Sequence, residues 1–293
     1  MRRIVLAGVV LALALAAAGC GSGGGRTTVE AGAQTTPNAC ARGRLNLFHR
    51  AQLTVGTDNP AYPPWFGGAP GNGWKVSNPY SGKGYESAVV YALAKQLALR
   101  KNEVKWVYVP FAKSYAPGRK NYDFDINQIS YTPERAKAVT FSDSYYDVNQ
   151  AIVVHKGTPI AKATSIADLK PYTLGAELGT TSYQFIKDTI KPQNTKVYNS
   201  NDLAVAALKA NRIDGLIVDL PTAFYVTAVQ VPNSESLGQI SNTTGEHFGM
   251  TFQKGNRLVT CVNDALAKMR NTGILKQIHT RWLSKVVSVP VLK

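Results

Sequence analysis

The sequence predicts an α/β fold made of two successive strand–helix units followed by a helical C-terminus. Three observations carry this prediction. Short apolar, β-rich runs recur along the chain; segments with apolar residues at helical spacing follow them; and the alternation restarts after residue 154. Alternation of this kind implies parallel strands covered by helices.

Taken in order, LTVGT at 53–57 reads as a short apolar strand, and 85–99 sets Val89, Leu93 and Leu97, with Val90 and Ala94, on one helical face. Between them lies a Pro/Gly/Asn-rich loop of more than 20 residues, a length usually reserved for function. The runs 104–109 (VKWVYV) and 123–129 (DFDINQI) read as strands, and 113–121, interrupted by Pro117-Gly118, as a loop. Thr132-Pro133-Glu134-Arg135 opens a helix: Thr caps it, Pro suits the first turn, and Glu complements the dipole. The apolar run 151–154 closes the first unit. The second contains a helical turn ending at Leu169-Lys170-Pro171, strands at 172–176, 197–199 and 213–218, and helices at 180–190, 202–210 and 221–229. The helices at 258–269 and 273–283 carry Leu258, Val262, Leu266, Met269 and Ile274, Ile278, Trp282 on apolar faces suited to packing.

The 293 residues are 44% hydrophobic and 17% charged, enough apolar content for two packed lobes and too much for a disordered chain. The only long apolar stretch is at the N-terminus, which excludes a multi-span membrane protein. Lys and Arg number 33 against 18 Asp and Glu, for a net charge of +15, yet no basic run exceeds the pairs Arg2-Arg3, Arg100-Lys101 and Arg119-Lys120. A nucleic-acid partner needs such residues gathered on one face, so none is expected. The four histidines are far apart, and neither C-x-x-C nor H-x-x-x-H occurs, so no metal and no cofactor is expected. No G-x-S-x-G, phosphate loop or catalytic Cys/His signature occurs, and the reading is of a non-enzyme.

Met1-Arg2-Arg3 followed by the apolar run 4–18 has the form of a secretory signal. Ala17-Ala18-Gly19-Cys20 resembles a bacterial lipobox, so 1–19 is expected to be a signal peptide, Cys20 the lipidated residue, and 20–44, beginning Gly21-Ser22-Gly23-Gly24-Gly25, a flexible tether. The protein is therefore expected to be exported and lipid-anchored, at the cell membrane surface or in the periplasm. With Cys20 lipidated, Cys40 and Cys261 remain as an even pair in an oxidising compartment. A bridge between them is expected, with two separate thiols as the alternative.

An ordered set of motifs adds to this reading: Gly56-Thr57-Asp58, Tyr62-Pro63-Pro64-Trp65, Gly84-Tyr85-Glu86, the run from Ile129-Ser130-Tyr131-Thr132-Pro133-Glu134-Arg135 to Val139, and Phe141-Ser142-Asp143-Ser144-Tyr145-Tyr146. Together, over about 53–283, they resemble the extracellular solute-binding protein family 3, the amino-acid receptors of ATP-driven importers. The resemblance implies a two-lobed, type II periplasmic-binding-protein clamshell with mixed sheets and two hinge-crossing strands, the second near 249–255. Lobe one would comprise 45–153 plus 247–293, and lobe two 154–246. A polar or cationic L-amino acid would bind in the interlobe cleft of a monomer, drive its closure, and pass to ABC permease subunits in the membrane.

Arg135 occupies the family's carboxylate-binding position, where its planar fork suits a carboxylate. Thr180 and Thr181 fall at the partner position on lobe two, whose backbone N–H would meet the same carboxylate. Asp219 matches the acid that pairs with the ligand ammonium, and Ser130 a position bonding ligand polar groups. Gln128 stands where the family usually has a small residue. Tyr62 and Phe111 match two rings that sandwich the ligand, with Trp65 nearby; the extra residue in Asn59-Pro60-Ala61 shifts the loop carrying Tyr62. Asp58 and Glu86 match positions facing the far end of the ligand. The alternative is an exported dehydratase acting on prephenate-like acids in the same cleft, whose substrate would leave Asp219 without an ammonium to pair.

Overall fold

The computed structural model describes residues 39–240, 245–283 and 289–292. The expected signal peptide, the lipid site at Cys20 and the tether up to residue 38 lie outside them. The strands are β1 (Leu53–Thr57), β2 (Val104–Tyr108), β3 (Phe124–Asp125), β4 (Val139–Phe141), β5 (Tyr146–Asp147), β6 (Gln150–His155), β7 (Thr173–Glu177), β8 (Asn194–Tyr198), β9 (Gly215–Asp219), β10 (Ser234–Ile240), β11 (His247–Phe248), β12 (Thr251–Gln253) and β13 (Val291–Leu292). The helices are α1 (Tyr85–Gln96), α2 (Phe111–Ser114), α3 (Pro133–Ala138), α4 (Thr181–Phe185), α5 (Asn201–Lys209), α6 (Leu220–Tyr225), α7 (Leu258–Asn271) and α8 (Ile274–Leu283).

Two mixed sheets form the two lobes. The first has the order β2-β1-β3-β12-β4, with β1 parallel to β2 and β3 and with β12 antiparallel to β3 and β4. Helices α1, α7 and α8 bury Val89, Leu93, Leu258, Val262 and Leu266 against Leu53, Val55 and Phe124. The second has the order β13-β10-β6-β9-β7-β8. Along β6, Ala151 and Val153 enter one apolar cluster while Ile152 and Val154 enter the other; along β9, Leu216 and Val218 oppose Ile217 in the same way. This period of two explains why both strands read as unbroken apolar runs: the sheet is covered on both faces. Each large side chain so buried contributes about 1.5–3 kcal/mol relative to exposure.

The lobes are joined by the antiparallel pair β5–β11, in which His247 faces Asp147 and Phe248 faces Tyr146. The second crossing thus lies just before the segment 249–255 expected from sequence, and β12 within that segment is part of the first sheet. Two further boundaries move. Residues 150–153 and the C-terminal end were expected in lobe one, but Gln150–His155 and Val291–Leu292 are strands of the second sheet, where Leu292 is buried beside β10. The folded body also begins inside the expected tether. Arg42–Arg44 form a short 3-10 turn, and Cys40 is bonded to Cys261 on α7.

Candidate functional site

The parallel strands β1, β2, β3, β7 and β9 direct their C-terminal ends, or the loops that follow them, toward the space between the lobes, the usual place for ligands in open α/β sheets. The cleft there holds about 820 Å³ including its mouth. From the first lobe it is lined by Asp58, Tyr62, Phe111, Gln128, Ser130 and Arg135, and from the second by Glu177, Thr180, Thr181, Asp202, Asp219 and Thr222.

Arg135 is placed by the local code of α3. The Thr132 hydroxyl accepts the Arg135 backbone N–H at 3.1 Å, and Pro133 sits in the first turn. Its guanidinium is buried, donating to the Ser130 carbonyl at 2.7 Å and, across the cleft, to the Gly179 carbonyl at 2.7 Å. It lies over the rings of Tyr115 at 4.3 Å and Phe111 at 5.6 Å. Burial pushes its pKa below the usual arginine value, while Tyr115, Glu246 and Asp219 favour the charge. On the facing lobe the Thr180 hydroxyl caps α4 by accepting the Tyr183 N–H at 3.1 Å.

Carboxylates dominate the rest of the cleft. Asp219, at the end of β9, accepts from Gln150 Nε2 at 2.9 Å; burial and then the neighbouring Glu246 push its pKa well above the usual carboxylate range. At the other end Asp58 of the first lobe faces Glu177 and Asp202 of the second. Burial, then the charge of Asp58 and finally that of Asp202 push Glu177 up to about 8, against a lowering hydrogen bond from Asn201. Burial also raises Asp58, with Asp202 adding to it. The Tyr62 hydroxyl donates across the cleft to Asp202. Neutralising part of this group tests its role: if these acids read ligand charge, Asp202→Asn with Glu177→Gln is expected to weaken a cationic ligand about 10- to 100-fold and a neutral one by less, measured by calorimetry with one of each. Equal losses for the two would show that these acids do not read ligand charge.

Nine of the eleven ligand positions expected from sequence therefore line one cleft: Asp58, Tyr62, Phe111, Gln128, Ser130, Arg135, Thr180, Thr181 and Asp219. Trp65 lines a small pocket that adjoins the cleft and shares Tyr62, Gln128, Asp202 and Thr222 with it, and Glu86 lines neither. Glu86 is fully buried behind the cleft floor, accepting the Gln128 backbone N–H at 2.7 Å, the Gln128 side-chain amide, and the Tyr145 hydroxyl at 2.5 Å. The cause is the close fit of α1: a Cβ on Gly84, at φ +90°, would sit 2.5 Å from Phe66 Cα and from the Trp65 carbonyl, so the helix start lies directly on that loop. Glu86 instead fastens Gln128, whose φ of +50° is left-handed and unfavourable for a residue with a side chain. Burial pushes Glu86 up to about 7, against the lowering effect of its three hydrogen bonds. Trp65 is buried with its ring edge-on to Tyr85, Tyr146 and Phe248, and its indole N–H donates to the Thr222 hydroxyl at 3.0 Å.

Sequence reasoning missed Glu177, Asp202 and Glu246. The first two stand, like Asp219, at a strand's end or a helix's start, a position that signals a candidate in the sequence. Glu246 lies in the second crossing, whose position the sequence put a few residues later.

Residues 53–285 match the model of the bacterial extracellular solute-binding proteins, family 3. The L-cystine-binding protein TcyJ of Escherichia coli K12 is 28% identical over 255 residues, covering 84% of this chain and 88% of that protein. The ABC transporter glutamine-binding protein GlnH of Bacillus subtilis 168 is 27% identical over 215 residues, 72% of this chain and 77% of its own length. The solved structure of an ancestral arginine-binding protein bound to arginine superposes with a TM-score of 0.66 at 29% identity, covering 80% of this chain and 99% of that one. With most of its length matched in this way, the chain belongs to the bacterial extracellular solute-binding proteins, family 3.

Proposed function

We propose that this protein is the substrate-binding component of an amino-acid ABC importer and that its ligand is a cationic L-amino acid. The observation that carries the ligand class is the convergence of Asp58, Glu177 and Asp202 from the two lobes onto one end of the cleft, with Arg135 the only basic residue among the described residues lining it. Arg135 and the Thr181 backbone would take the ligand carboxylate, Asp219 its ammonium, and the three acids a guanidinium or ammonium at the far end. Tyr62 and Phe111 would pack on the aliphatic stem. Each lobe contributes to both ends, so the ligand favours the closed state, and a permease would read that closed surface. Cys20 would hold the receptor at the membrane through its lipid. No step of this function makes or breaks a covalent bond.

Thermal-shift measurements with the twenty amino acids and prephenate test the reading, because a ligand at a hundredfold excess over its Kd adds about 2.7 kcal/mol to stability. Arginine or lysine is expected to give the largest shift; a shift with prephenate alone would move the function to the dehydratase class. The pH dependence adds a second check. Glu177, pushed up to about 8, Glu86, pushed up to about 7, and Asp58 keep protons in the ligand-free fold that the unfolded chain has already lost. Ligand-free stability therefore falls as pH rises from about 4.5 to about 8. A bound cation lowers the pKa values of the acids it meets, so its stabilising shift is expected to be larger near pH 8 than near pH 5. A larger shift at the acid end would be incompatible with a cationic subsite.

A further inference from the structure

Both crossing segments deliver a polar side chain to the cleft residues Ser130 and Asp219 from behind: Gln150, which begins β6, and Glu246, which precedes β11. The two segments are themselves joined, the Val148 N–H donating to the Glu246 carbonyl at 3.2 Å. Ser130 Oγ donates to Glu246 Oε1 at 2.6 Å. A serine hydroxyl has one proton and two lone pairs and can point either way. Here the one proton of Ser130 is committed to the Glu246 carboxylate oxygen, which leaves its oxygen to accept. Thr181 Oγ1, 3.4 Å from Ser130 Oγ, must then act as the donor of that pair.

The same carboxylate helps set the Gln150 amide. Gln150 Nε2 lies 3.3 Å from both Glu246 oxygens and 2.9 Å from Asp219 Oδ1, while Gln150 Oε1 accepts from Ser182 Oγ at 2.5 Å. The end of the cleft beside Arg135 thus presents a ligand with the Asp219 side chain and an acceptor-oriented Ser130 hydroxyl.

We infer that Glu246 is a specificity-positioning residue: by holding Ser130 Oγ as an acceptor and Gln150 turned toward Asp219, it makes this end of the cleft accept an α-ammonium and reject an α-hydroxyl or α-keto group. The inference rests on the amino-acid reading above and assigns to the hinge a part in ligand choice. With glutamine at 246, the side-chain amide can donate to Ser130, the serine proton is free to turn into the cleft, and the site loses its bias toward donors.

The test is calorimetric titration of the purified protein with L-arginine and with L-argininic acid, which carries a hydroxyl in place of the α-ammonium. Sites built around a hydrogen bond reject an analogue lacking it by large factors, so the wild type is expected to prefer arginine by about 100-fold or more. Glu246→Gln is expected to reduce that ratio at least about tenfold, with the hydroxy acid bound no more weakly than by the wild type. Ser130→Ala should reduce the ratio similarly, and the double variant should go little further, because the two residues act through one hydrogen bond. A purely structural Glu246 would weaken both ligands equally, or add its effect to that of Ser130→Ala, and either result overturns the inference. A wild type that binds neither probe overturns the cationic amino-acid reading itself, and the inference with it.

Discussion

Replacing Arg135 by alanine is expected to weaken amino-acid binding by about 2–5 kcal/mol, roughly 30- to several-thousand-fold in Kd, while the protein stays folded. The size follows from where the guanidinium sits. It is buried on two aromatic faces and touches both lobes, through the Ser130 and Gly179 carbonyls. A ligand carboxylate entering such a site without the arginine would be desolvated and unpaired, and most of the loss is that penalty. The fold should tolerate the change, because the loss is confined to two side chain–backbone hydrogen bonds and the ring contacts. Arg135→Lys should recover little, since a compact ammonium cannot reproduce a planar fork stacked between rings. Calorimetry gives the affinity and a thermal melt of the same sample reports folding; unchanged affinity in a folded Arg135→Ala protein would remove the carboxylate site from the cleft.

The parts of this site legible in the sequence are those written in local chemistry. Thr132 and Pro133 announce the start of α3, and their spacing alone puts Arg135 on its first turn. The apolar run ending at Asp219 likewise puts an acid at a strand's C-terminal end. What escaped depends on partners distant in the chain. The expected strand 123–129 contracts to Phe124–Asp125, because Gln128 turns left-handed to meet Glu86, 42 residues earlier. Strand β10, SESLGQI, has few β-branched residues, and its pairing with the apolar β6 defines it, so no window of its own sequence marks it as a strand. Glu86 shows the same limit in the site: resemblance singles out the residue, and only packing reveals that it faces Gln128 and Tyr145.

Opening the Cys40–Cys261 bond is expected to lower stability by about 2–5 kcal/mol and to leave ligand affinity within about threefold of the native value. The bond spans 221 residues of sequence, a loop that contains the cleft, both crossings and nearly all of both sheets. In the chain-entropy account such a closure restricts the unfolded ensemble strongly, and its effect grows slowly with loop length. The local contacts it holds are weak by comparison. Arg42 and Arg100 pair with Glu103 near the surface, and exposed ion pairs of this kind contribute little. At about 2–4 °C per kcal/mol for a domain of this size, the melting temperature should fall by roughly 5–20 °C in Cys40→Ser/Cys261→Ser or on reduction. Affinity should hold because both cysteines pack with the first lobe's helical core and neither lines the cleft. An unchanged melting temperature would mean that the start of the folded body docks without the bond. A large change in affinity would mean that the bond also biases opening and closing, and the N-terminal segment would then have to be treated as part of the hinge rather than as a staple on one lobe.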